Sequence, residues 1–68
     1  MIACNFKIKD IQKMQSVEGI NNFMWYAHCA IQENEHDGAR RYADDWKRII
    51  VAADDRRKEL ESEGKDHE

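Results

Sequence analysis

From Gly38 onward the apolar positions recur with a single period. Ala39, Tyr42, Ala43, Trp46, Ile49, Ile50, Ala53 and Leu60 follow spacings of three and four, which stack side chains along one face of a helix. The pattern predicts a helix from about Gly38 to Glu61, roughly 36 Å long at 1.5 Å per residue. Asp37 stands where a carboxylate can accept from the free N–H groups of a first turn. The pairs Asp37/Arg41, Asp44/Arg48 and Asp54/Lys58 each place the acid four residues before the base, the order that supports a helix.

A second stripe lies upstream. Val17, Ile20, Met24, Ala27 and Ile31, with Phe23 and Ala30 beside them, predict a helix from about Val17 to Glu35, and Ser16 is the expected N-cap. The polar segment Asn34–Gly38 supplies the turn. Two long helices joined by a short polar turn give an antiparallel hairpin. Its stripes pair Ile31 with Ala39 and Tyr42, Met24 with Trp46 and Ile49, and Ile20 with Ile50 and Ala53.

The first fifteen residues fit two patterns. Ile2, Cys4, Phe6 and Ile8 alternate as in a strand, whereas Phe6, Lys7, Asp10, Ile11 and Met14 suit a short helix capped by Asn5. A lone strand has no local partner and could pair only with its copy in a dimer. A short helix or irregular arm starting near Asn5 is therefore expected. The predicted fold class is all-α: a hairpin (about 17–35 and 38–61) with a short N-terminal helix or arm, paired as a homodimer. Residues 1–61 form one small helical domain. Residues 62–68, with no apolar side chain after Leu60, are expected to be a flexible acidic tail.

The run Phe23-Met24-Trp25-Tyr26 exceeds what a hairpin can hide. A helix packed on one partner needs an apolar stripe of roughly three residues in seven. Four bulky neighbours spread around most of the circumference. At about 100° per residue, Trp25 and Cys29 project opposite Ile20 and Ala27, and Tyr26 lies on the flank. Either the N-terminal arm folds over them or they form an interface. Trp and Tyr suit the second role because they bury much area with few rotatable bonds.

Composition narrows the function classes. The chain has 68 residues, a net charge of −3 and 37% charged residues. A domain this small buries only about 60% of its unfolded surface, so its stability is marginal and oligomerisation would help. The acidic balance argues against nucleic-acid binding driven by a basic face. Arg40, Arg41, Lys47, Arg48, Arg56, Arg57 and Lys58 are interleaved with Asp44, Asp45, Asp54, Asp55, Glu59 and Glu61, as on a solvated face laced with ion pairs. Arg57 falls on the apolar stripe, where it either snorkels or reaches an acidic group. The opening MIACNFKIKD has no apolar core of leader length. Cys4 and Cys29 are thus expected to be reduced thiols of a cytoplasmic protein, and no apolar run is long enough for a membrane span.

Cys29, Glu33 and His36 fall at i, i+4 and i+7, a spacing that could present three zinc ligands. Structural zinc sites of small domains usually draw on four Cys/His ligands in tight pairs, and the sequence has no such pairs, so neither metal nor cofactor is expected. The neighbours Asp44/Asp45, Asp54/Asp55 and His28/Cys29 point about 100° apart on a helix and do not converge on one substrate atom. The chain is therefore not expected to be an enzyme.

In size and layout the chain resembles the small acidic helical proteins with which phages and mobile elements block host proteins, a likeness that assigns no site residue. The expected function is a protein-binding regulator, an inhibitor or antagonist that occludes a surface of a larger host protein. Its interface residues are Trp25, Tyr26, Cys29 and Phe6, with Arg41 and Arg48 steering through the rim. Two other classes remain: a dimeric nucleic-acid-associated transcriptional regulator, and a structural subunit of a larger assembly.

Overall fold

Ser16 opens the first long helix, its Oγ accepting from the Gly19 N–H at 3.1 Å. One otherwise orphaned donor of the first turn is thereby satisfied. The computed structural model describes residues 1–65 and side chains through Glu63. These residues form three helices: α1 (Ile8–Gln12), α2 (Val17–His36) and α3 (Arg40–Lys65). The described residues contain no strand.

The α2–α3 turn corrects one expectation. Gly38 adopts a left-handed φ of 77°. Its N–H donates to the Glu35 carbonyl at 3.2 Å, and the Ala39 N–H donates to the Asn34 carbonyl at 2.7 Å. This pair of bonds is the glycine-centred C-terminal cap of a helix. Asp37 therefore ends α2 instead of capping α3. The first intrahelical bond of α3 runs from the Ala43 N–H to the Ala39 carbonyl at 3.1 Å. The left-handed turn takes up Gly38 and Ala39, and so puts Asp37 on the far side of the reversal. α3 also runs to Lys65, past the expected end at Glu61. The expected tail at 62–68 is thus helical through Lys65, and Asp66–Glu68 lie outside the described residues.

α2 and α3 run antiparallel: the turn joins one end, and Arg57 Nη1 donates to Asn21 Oδ1 at 2.9 Å near the other. Their core has two clusters. Ala27, Ala30, Ile31, Ala43 and Trp46 form the first, joined by Ile2, Cys4, Phe23 and Ile50. Ile11, Ile20, Ile49 and Ala53 form the second, joined by Met14, Met24 and Leu60. The alanines leave room for the Trp46 indole, which is only 1% exposed. Its burial, roughly 150–250 Å², contributes on the order of 4–6 kcal/mol as an upper bound. Ile31 shares its cluster with Ala43, the residue after the expected partner Tyr42.

The N-terminal segment follows both patterns in turn. Residues 1–7 have no regular secondary structure, but Ile2 and Cys4 are half-buried and Ala3 and Asn5 exposed, the two-residue alternation of a strand. Then the Lys7 N–H donates to Asp10 Oδ2 at 3.0 Å and α1 begins, two residues later than an Asn5 cap would set it. Ile11 anchors α1 in the second cluster. Beyond α1, Arg56 Nε donates to the Met14 carbonyl at 2.9 Å, fastening the α1–α2 connection to α3.

Candidate protein-binding surface

Helical geometry decides which side chains share the outer face of α2. Glu18, Asn22, Trp25, Cys29, Gln32 and His36 alternate at spacings of four and three, opposite the core stripe of Ile20, Ala27, Ile31 and Asn34. Every residue of the outer stripe is exposed. Trp25, near its middle, is 70% exposed. Cys29 stands one turn on and lines a shallow depression with Gln32, Glu33 and His36. Among the described residues, no three His, Cys, Asp or Glu side chains are gathered to hold a metal ion.

The N-terminal arm does not reach Trp25, because its own contacts direct it along the opposite flank. Asn34 is fully buried and binds both polar groups of the Ile2 backbone. Asn34 Oδ1 accepts from the Ile2 N–H at 2.6 Å, and Asn34 Nδ2 donates to the Ile2 carbonyl at 2.9 Å. The side-chain amide thus stands in for the strand that the arm lacks. Trp46 Nε1 donates to the same carbonyl at 3.0 Å. The Met1 amino group sits 2.8 Å from Asp37 Oδ2. That bond, with the positive charge behind it, holds the Asp37 carboxyl below its ordinary pKa.

Phe6 and Tyr26 meet the core only at their edges. The Phe6 ring stands 4.9 Å from Phe23, edge to face, and 5.9 Å from Trp46. The Tyr26 ring stands 5.6 Å from Trp46, also edge to face. Both remain exposed, at 43% for Phe6 and 54% for Tyr26. They flank Trp46 and leave a surface beside the arm, whereas Trp25 makes no such ring contact among the described residues.

The expected rim arginines lie elsewhere. Arg48 lines a depression with Cys4, Phe6, Lys7 and Ile8, on the arm side of α3. Arg41 stands at the turn with Met1, Gly38 and Tyr42. Arg48 therefore meets the Phe6 end of the predicted set, and neither arginine is brought to Trp25. Of the three predicted i,i+4 ion pairs, Asp54–Lys58 forms at 3.1 Å. Asp37/Arg41 and Asp44/Arg48 do not form among the described residues, and Asp37 takes the amino terminus instead. Arg57 Nη2 also reaches Asp54 at 2.6 Å. Hydrogen bonding from Lys58, aided by the two cations, lowers the Asp54 pKa.

Charge divides unevenly between the helices. All 11 lysines and arginines lie before Met14 or after Ala39. Besides His28 and His36, the titratable side chains on the surface of α2 are acidic or apolar: Glu18, Glu33, Glu35, Tyr26 and Cys29. The three glutamates are exposed, and none forms an ion pair among the described residues.

Sequence reasoning missed Asn34, assigning it to the turn. Its signal was present, since Asn34 continues the core stripe three residues after Ile31. A polar side chain on that stripe must find a buried partner, and the partner is the arm. Arg56 was likewise grouped with the solvated charges, although it secures Met14.

No helix among the described residues is long and apolar enough to cross a membrane. No family model, curated protein or solved structure matches the chain, so the functional reading rests on the surface itself.

Proposed function

We propose that the protein is a protein-binding regulator, an inhibitor or antagonist that docks on a larger protein through the outer face of α2 and occludes the surface it covers. One observation carries this reading: an indole 70% exposed at the middle of an otherwise polar helix face. The N-terminal arm, the one element among the described residues with free chain to cover it, is committed elsewhere by Asn34, Trp46 and Asp37. At 70% exposure, the Trp25 side chain has no other part of the described chain packed over it. Trp is also a weaker helix former than Ala by up to about 0.7 kcal/mol, so the exposed indole adds little to the isolated chain. A convex helix face with one large anchor matches the mode in which a helix lays its anchors into a partner's groove. Tyr26 and Cys29 border the anchor, and the exposed Phe6 ring lies apart from it, against Phe23 and Trp46.

The test is affinity capture from the native host cell, with wild type beside Trp25→Ala. A protein retained by wild type and lost by a variant of unchanged helicity and melting temperature supports the reading. If Trp25→Ala unfolds the chain, or if both chains retain the same proteins, the reading fails.

A further inference from the structure

We infer that the partner surface met by Trp25 is basic: lysine and arginine side chains surrounding an apolar recess that takes the indole. This refines the docking role proposed for Trp25 and rests on it. Glu18 lies seven residues before Trp25, on the same stripe, and Glu33 lies eight after, on its flank. At 1.5 Å per residue these are about 10 and 12 Å along the axis, inside the patch of roughly 800 Å² that one partner covers in a standard interface. The carboxylates therefore meet the same partner surface as the indole. Glu35 adds a third negative charge on the other flank. No lysine or arginine of α2 opposes them, because the segment from Met14 to Ala39 contains none.

The indole face adds its own preference, since it attracts cations, arginine above all. An aromatic anchor bracketed by carboxylates that form no ion pair among the described residues is thus complementary to a basic recess in both charge and quadrupole. The same charges disfavour a second copy of this chain as the occupant. A two-fold α2–α2 pairing centred near Trp25 sets Glu33 and Glu35 of one copy against Glu18 of the other, and like charges across a contact oppose association. α3 cannot make this selection, since its acids are interleaved with bases.

The experiment uses the ¹⁵N-labelled full chain and two synthetic amphipathic helical peptides, one of Lys and Leu and a matched one of Glu and Leu. Chemical shifts are followed at low salt. The Lys/Leu peptide is expected to perturb the Trp25 indole N–H and the outer-face amides of α2, with affinity falling steeply as salt rises. The Glu/Leu peptide is expected to leave them unmoved. Exposed charge pairs change affinity by roughly twofold each, and reversal replaces attraction with repulsion. Glu18→Lys/Glu33→Lys/Glu35→Lys should therefore weaken Lys/Leu binding about tenfold or more, and Asp44→Lys/Asp55→Lys on α3 by less than about twofold. The salt titration of wild type decides the matter should the triple variant lose helicity.

Equal binding of the Glu/Leu peptide at Trp25 leaves the docking role standing and overturns the basic partner. Lys/Leu shifts confined to α3 overturn it as well. Shifts at Trp25 that grow with protein concentration alone assign the face to a second copy, against the inference. If neither peptide moves Trp25, the inference and the docking role fall together.

Discussion

Replacing Asn34 with Ala should release the arm. The side chain is fully buried, and its two bonds to Ile2 measure 2.6 and 2.9 Å. Without it, the Ile2 carbonyl keeps Trp46 Nε1 at 3.0 Å, but the Ile2 N–H loses its partner. A buried donor left unsatisfied costs about 1–3 kcal/mol, and the void left by the carboxamide brings the total to roughly 2–4 kcal/mol. Detachment of the arm limits the loss, because Ile2 is then hydrated while the burial of Ile2 and Cys4 is given up. A chain of 68 residues has about 3–10 kcal/mol of stability in all, so the loss is large. The assay is urea unfolding followed by far-UV circular dichroism. A second readout is thiol labelling in a Cys29→Ser background, since Cys4 is half-buried within the arm and Cys29 is exposed. Asn34→Ala should lower the urea midpoint and make Cys4 react faster. Asn34→Asp should be worse at neutral pH and recover as pH falls, because burial favours the protonated carboxyl, which can again donate to Ile2. A midpoint equivalent to within 0.5 kcal/mol of wild type, with Cys4 as slow as before, would refute the Asn34 clamp.

Three other perturbations test the scaffold. Gly38→Ala should cost about 1 kcal/mol from backbone strain alone, since φ is 77° and an added Cβ meets nothing within 4 Å; an unchanged melting temperature would contradict the left-handed cap. Arg56→Ala should cost about 1.5–3 kcal/mol by removing a charged donor from the Met14 carbonyl, and should speed amide exchange in α1 before that in α2. Asp37 and Asp54 have folded pKa values below the ordinary one. Their contribution is therefore fully present above about pH 4 and is lost as pH falls through the lower folded values. The acid limb of a stability–pH curve should flatten in Asp37→Asn/Asp54→Asn, and an identical acid slope would count against both contacts.

Much of the fold was legible because it depends on local rules. The stripes through Ile20–Ile31 and Ala43–Ala53 set two helices, and Ser16 set the first boundary. The turn was less legible, since Asp37 and Gly38 suit either an N-cap or a left-handed C-cap, and only the register of the hairpin chooses between them. The arm was ambiguous for a comparable reason. Its alternation at Ile2 and Cys4 is real, but its hydrogen-bonding partner is the Asn34 side chain, 32 residues away. The position of Trp25 opposite the hairpin stripe followed from angle alone. That the arm would leave it uncovered did not, because the arm's path depends on Asn34 and Trp46. The expected steering by Arg41 and Arg48 assumed that both helices present one surface, whereas Arg41 lies at the turn and Arg48 on the arm side, and α2 itself carries glutamates and no lysine or arginine.

The most direct test of the account is the accessibility of its two tryptophans. Trp25 is 70% exposed and Trp46 is 1% exposed. Fluorescence quenching with a neutral quencher, which the acidic face neither attracts nor repels, should resolve one accessible and one protected population in wild type. Trp25→Phe should leave only the protected, blue-shifted emission. Two protected indoles in wild type, or ready quenching that persists in Trp25→Phe, would contradict the claim that this fold holds Trp25 out for a partner.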